Sequence, residues 1–134
     1  ICIGTKQPYS SFLNKEKNKR PFKTITVGLT ADRDIIYDRI NQRVDIMVEN
    51  GLIEEVKSLT EYKSLNALNT VGYKEIFNYL DESCTVDFAI SEIKKNSRRF
   101  AKRQLTWFKR NNETLWFDYL TPLEKIIKSI KDSM

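Results

Sequence analysis

The chain has no histidine among its 134 residues. That absence excludes Ser-His-Asp and Cys-His catalysis, HExxH metal sites and every zinc site that needs imidazole. Cysteine is nearly as scarce. Cys2 and Cys84 are too few and too far apart for a CxxC site or a disulfide framework, and a reducing cytoplasm is the expected compartment. The four glycines, Gly4, Gly28, Gly51 and Gly72, lie no closer than 21 residues apart. Glycine-rich phosphate loops need their glycines within a few residues, so that backbone N–H groups can approach the phosphates. Neither GxxxxGK followed by Ser or Thr nor GxGxxG exists here. No apolar run approaches the ~18 residues of a membrane span, no secretory signal is visible, and no membrane partner is expected.

What is present is the composition of one globular domain, or of a piece of a larger one. Hydrophobic residues make up 40% and charged residues 31%, with a net charge of +5 and a mean hydropathy of −0.50. The chain opens on Ile1 rather than Met, as expected of a processed protein or, the reading favoured here, of a segment of a longer one.

The segment from Pro8 to Pro21, with Asn14-Lys15-Glu16-Lys17-Asn18-Lys19-Arg20, reads as a polar linker. Alternation and β-branching over Phe22-Lys23-Thr24-Ile25-Thr26-Val27-Gly28-Leu29 predict a strand at about 23–29. Thr30 is expected to N-cap a helix with Asp32 and Asp34 in its first turn, running to about Asn50 and closed by Gly51. Ile36, Ile40, Val44 and Met47 fall within an ~80° window of that helix and form its expected core stripe. Further helices are expected over Leu52–Tyr62, as a short helix after Thr70-Val71-Gly72-Tyr73 ending at Leu80, over Val86–Lys109 and, begun at Pro122, over Leu123–Lys131. Thr114–Asp118 completes the pattern as a second strand. The expected class is helix-rich α/β, with two strands that pair with each other or with chain lying elsewhere.

The charge is concentrated. Lys94 to Arg110 holds eight basic residues and no acid, leaving 15 basic against 18 acidic residues elsewhere, a net −3. At ~100° per residue the eight span about 180° of one helix face, while Ile93, Phe100, Ala101, Leu105, Trp107 and Phe108 lie on the other. Lys94-Arg98-Lys102 and Lys95-Arg99-Arg103 are like-charge ladders at i,i+4, each pair unfavourable by a few tenths of a kcal/mol. Arg98, Arg99, Lys102 and Arg103 have no acid at i±3 or i±4. Such a face is either simply solvated or matched by an external polyanion, for which nucleic acid is the first candidate. Gln104, on the apolar side, either satisfies a buried backbone group or reads a base edge. Arg39 and Arg43, also i,i+4 without helical acids, either pair with the acidic surplus elsewhere or fork a phosphate or diphosphate.

Several runs together resemble the C-terminal half of bacterial tRNA dimethylallyltransferases: Asp38-Arg39-Ile40-Asn41-Gln42-Arg43-Val44-Asp45-Ile46-Met47, then Gly51-Leu52-Ile53-Glu54-Glu55-Val56, then Thr70-Val71-Gly72-Tyr73-Lys74-Glu75. Ser97-Arg98-Arg99-Phe100-Ala101-Lys102-Arg103-Gln104-Leu105-Thr106-Trp107-Phe108 and Trp116-Phe117-Asp118 follow in the same order. The resemblance implies a fold similar to P-loop kinases. It also implies transfer of a dimethylallyl group from dimethylallyl diphosphate, with Mg²⁺, to N6 of the adenosine 3′ of the anticodon. It assigns the phosphate loop, the general base and the Mg²⁺ to an N-terminal half, so this segment alone is expected to be inactive. Residues 1–21 would be the tail of a helical insertion that grips the anticodon stem-loop, and 22–134 the C-terminal part of the catalytic core. By the same resemblance Thr70, Val71, Gly72 and Tyr73 face the tRNA, as do Arg98, Arg99, Lys102, Arg103, Gln104, Thr106, Trp107 and Phe108. Arg39 and Arg43 would approach the diphosphate, and the full-length enzyme would be a monomer. Two alternatives are an adenylate isopentenyltransferase acting on free nucleotide and a helical RNA-binding module without enzymatic activity.

Overall fold

A computed structural model describes residues 2–13 and 21–134. Of the linker expected from Pro8 to Pro21, residues 14–20 lie outside the described residues. Before them stand a four-residue helix, α1 (Cys2–Thr5), and a 3₁₀ turn, Tyr9–Phe12. The remainder runs β1 (Val27–Thr30), α2 (Arg33–Glu49), α3 (Leu52–Ser58), α4 (Tyr73–Leu80), α5 (Val86–Phe108), β2 (Leu115–Asp118) and α6 (Leu123–Asp132). The helix-rich α/β class is as the sequence predicts.

The two strands pair with each other in parallel, Val27 opposite Leu115 and Thr30 opposite Asp118. β1 is shorter than the alternation predicts, because β2 offers four residues to pair with and residues 23–26 extend past its end. Gly28 lies opposite Trp116, and a Cβ there would sit 2.6 Å from the indole carbons Cε3 and Cζ3. The glycine is therefore required by the close approach of the ring, not by its backbone angles. Lys23 Nζ donates to the Ser133 carbonyl, tying the approach to β1 onto the end of α6.

Local chemistry moves several helix ends from their expected places. Asp32, not Thr30, is the N-cap residue of α2, because the chain stays extended through Asp32 (φ −57°, ψ 146°). Gly51 does adopt the left-handed conformation (φ +94°) that ends α2, and its carbonyl starts α3 by accepting from Glu55 N. The helix expected to reach Tyr62 stops at Ser58. There the Ser58 and Thr60 hydroxyls donate back to the carbonyls of Glu55 and Lys57, both at 2.7 Å, and a 3₁₀ turn follows. The Thr85 hydroxyl caps α5 by accepting from Phe88 N.

The core is a four-helix affair: Val44 of α2, Leu52 and Val56 of α3, Ile76 and Phe77 of α4, Ala89 and Ile93 of α5. No strand residue is fully buried among the described residues. Of the expected α2 stripe only Val44 is buried; Ile36 and Ile40 are half-buried and Met47 is exposed. The cause is that α2 meets α5 along Tyr37, Asn41 and Asp45, a polar seam offset from the stripe. The C-terminal half of α5 is correspondingly uncovered, with Phe100, Trp107 and Phe108 exposed although they lie on its apolar side.

Candidate nucleic-acid interface

The 23-residue helix α5 holds the cations in a fixed array, and the structure sorts them into two groups. Those near its middle are held by neighbours. Lys94 Nζ lies 2.5 Å from the Asp45 carboxylate, and Lys95 pairs with Glu92. Arg98 donates to Asn41 Oδ1 at 2.7 Å, with its guanidinium 5.8 Å from the Tyr37 ring centroid. Arg98 thus joins α5 to α2. Its partners are neutral, so its charge is not cancelled.

Toward the C-terminus the cations are open. Arg99, Lys102, Arg103 and Arg110 line a groove of ≈ 500 Å³ with Thr106 and Trp107. None of these four makes an ion pair among the described residues. The Arg103 guanidinium sits 5.7 Å over the Phe100 ring, and Trp107 packs edge-on against Phe108 at 4.9 Å. At 64% exposed, Trp107 offers an indole face between positive charges, the combination that suits an unpaired base beside its phosphates. Thr106 is less available, since its hydroxyl donates to the Lys102 carbonyl at 2.9 Å. Gln104 is exposed and borders a separate, mainly apolar cleft with Val27, Leu29, Phe108 and Trp116. That exposure removes the reading in which it satisfies a buried backbone group.

The loop ahead of α4 is built differently. Thr70 and Val71 are exposed, whereas Gly72 is buried with φ +105° and ψ −64°. No atom would obstruct a Cβ at Gly72, so backbone conformation alone calls for glycine there. Its N–H donates to Glu75 Oε2 at 2.8 Å. Tyr73 is half-buried and its hydroxyl donates to Glu55 Oε1. That hydrogen bond first, then burial and the charge of the same carboxylate, hold the phenol above its ordinary value near 10.0.

Arg39 and Arg43 stand elsewhere. Two residues beyond Tyr37 and Asn41, each is rotated by about 200° from the seam that meets α5. The Arg39 guanidinium lies 4.4 Å over the Tyr119 ring, and neither arginine is ion-paired among the described residues. A different cation set lines a cleft of ≈ 330 Å³ at the C-terminal end of β1: Arg33, Lys102 and Lys109, beside Thr30, Asp32 and Thr106. Arg33 is not among the residues that charge patterning singles out. Its signal was a cation in the first turn of a helix, where the macrodipole disfavours positive charge. Glu75 is not among them either, although a glutamate three residues past a turn glycine is a capping pattern. Among the described residues no three His, Cys, Asp or Glu side chains are grouped to hold a metal ion, and no helix is long and apolar enough to cross a membrane.

Comparison with known proteins adds the following. The family model described as IPP transferase matches residues 1–111. The tRNA dimethylallyltransferase of Flavobacterium johnsoniae is 60% identical over all 134 residues, which span 43% of its length. That of Flavobacterium psychrophilum is 59% identical, again over the whole chain and 44% of its own length. Among solved structures, the tRNA isopentenylpyrophosphate transferase of Bacillus halodurans superposes with a TM-score of 0.75 at 44% identity, over 87% of this chain and 39% of its own. The corresponding protein of Staphylococcus epidermidis gives 0.75 at 31% identity, over 98% and 45%. The chain therefore spans less than half the length of the relatives it matches, and shares their P-loop-kinase-like fold.

Proposed function

Because the chain belongs to the IPP transferase family, we propose that it forms the RNA-gripping C-terminal portion of a tRNA dimethylallyltransferase. The whole protein would transfer a dimethylallyl group from dimethylallyl diphosphate to N6 of the adenosine 3′ of the anticodon. The observation that carries this reading is the α5 groove, in which four uncompensated cations flank an exposed indole. From Arg99 to Arg110 it runs about 17 Å at 1.5 Å per residue, a length suited to a polynucleotide strand. An adenylate isopentenyltransferase, acting on one free nucleotide, would have no use for that length, and the same groove argues against it.

Attack of N6 on the allylic carbon forms the N–C bond, expels diphosphate and releases a proton. The chain's contribution is to position the RNA and to neutralise charge on the leaving group. Arg39 and Arg43 are proposed for the second role by resemblance. The cleft at the end of β1 favours a second set, Arg33, Lys102 and Lys109, since ligands of parallel sheets bind beyond the carboxyl ends of the strands. By the same resemblance the reaction would take Mg²⁺. The ion, the phosphate loop and the general base are assigned to the rest of the protein, with residues 1–21 as the tail of a helical insertion on the anticodon stem-loop. A monomer in the cytoplasm is the proposed working state.

A salt titration tests the reading. Binding of a labelled anticodon stem-loop to the full-length protein should weaken steeply with salt, by roughly 0.7 to 0.9 log units per log unit for each neutralised phosphate. Arg99→Ala and Arg103→Ala should each lower the slope by about one contact. A flat titration, unchanged in both variants, would return α5 to the status of a solvated face.

A further inference from the structure

Glu75 is only 7% exposed, and burying a carboxylate is costly unless its oxygens are hydrogen-bonded. Here both are. Oε2 accepts from Gly72 N at 2.8 Å, and Oε1 accepts from Asn96 Nδ2 at 2.8 Å. The first bond is an ordinary helix cap, closing the turn that starts α4. The second is not, because it reaches 21 residues along the chain to the middle of α5. It also arrives at a particular line of that helix. At ~100° per residue, Arg99, Arg103, Trp107 and Arg110 all lie within about 60° of Asn96. The carboxylate therefore joins the backbone of the loop at residues 70–73 to the head of the stripe that lines the cationic groove.

We propose that Glu75 is a positioning residue for RNA, its carboxylate locking the Thr70–Tyr73 loop in register with the cationic stripe of α5 through Gly72 and Asn96. This rests on the reading of α5 and the loop as the tRNA-facing surfaces. On the opposite side the Tyr73 hydroxyl, bonded to Glu55, ties the loop to α3. The loop is thus held before RNA arrives, and binding need not spend free energy on ordering it. The Glu75 carboxylate accepts from both donors, with one oxygen for each. The bond to Asn96 is lost when position 96 can only accept, or carries no polar group at all.

The experiment uses the full-length protein and a labelled anticodon stem-loop, with thermal melts run alongside. Asn96→Asp sets two carboxylates against each other, a clash that no rotation of either group relieves, and releases the loop, so stem-loop affinity should fall about tenfold as the competent fraction falls. Its salt slope should stay unchanged, since every cation remains. The exchange variant Glu75→Gln with Asn96→Asp reverses both partners: the carboxamide accepts from Gly72 and donates to the new carboxylate. It should recover affinity to within about twofold, which a loss of packing alone would not allow. If Asn96→Asp does not fold, Asn96→Ala, which leaves the helix cap intact, should still weaken binding several-fold. Wild-type affinity in Asn96→Asp or Asn96→Ala, or an exchange variant no better than Asn96→Asp, overturns the proposal. Arg103→Ala separates the two levels. If it weakens binding and Asn96→Asp does not, the positioning role alone falls; if neither does, both fall.

Discussion

Tyr73 shows how one side chain can carry a measurable signature of the site's construction. Its phenol donates to Glu55, and the hydrogen bond, burial and neighbouring charge all favour the protonated form. The folded value therefore lies above the unfolded one, near 10.0. A group raised in this way contributes its stabilisation fully below the unfolded pKa and loses it as pH rises through the folded value. The stability advantage of wild type over Tyr73→Phe should thus be constant from neutral pH to about 10 and shrink above it, as read from urea midpoints at each pH. An advantage that stays constant through the alkaline limb would mean that the bond to Glu55 does not persist in solution. Little of this could be foreseen from the chain. Tyr73 offers an aromatic ring beside a glycine, and nothing in the spacing of Glu55 and Tyr73 shows that α3 and α4 bring them together.

Elements were more legible than contacts, and the failures have physical causes. β-branched alternation marked β1, the Asn50-Gly51 pair marked a helix end, and the acid-free run of cations marked α5, all local signals. What failed depended on neighbours or on competing local bonds. Met47 shares an angular window with Val44, yet only Val44 is buried, because α5 meets α2 along the polar line of Tyr37, Asn41 and Asp45. The end of α3 is invisible to periodicity, since it lies where the Ser58 and Thr60 hydroxyls bond back to the Glu55 and Lys57 carbonyls. Gly28 was read as part of a strand, and the reason for it, the indole of Trp116 on its partner strand, lies 88 positions away. Gly28→Ala places a methyl where ring carbons stand 2.6 Å off, so either the indole or the strand must shift. We expect a loss of about 1–3 kcal/mol, the usual cost of overpacking, with a changed tryptophan emission. An unaltered urea midpoint would show that the ring moves aside freely.

At the scale of the whole molecule, the four-helix core and the two-stranded sheet are unequally finished. Parallel strands are ordinarily buried on both faces, yet Leu29 of β1 is 58% exposed, and Trp107 and Phe108 are bare on the neighbouring end of α5. The region that carries the cations is thus also the region with the thinnest cover. The chain spans less than half the length of its matched relatives, and the proposed chemistry divides along the same line. Prenyl transfer to N6 needs diphosphate held while the allylic carbon is attacked, and a proton removed. A phosphate-cradling backbone loop needs clustered glycines, and here none lie closer than 21 residues apart. What remains, open cations on one helix and a glycine turn fastened to it by Glu75, suits the proposed role of holding RNA and not the whole reaction. The 134 residues purified by themselves should therefore give no dimethylallyl transfer to a tRNA anticodon stem-loop above background, while the full-length protein transfers the group under the same conditions. Transfer by the isolated segment would mean that its own cations and carboxylates suffice for the chemistry, and would overturn the division of labour drawn from the glycine spacing.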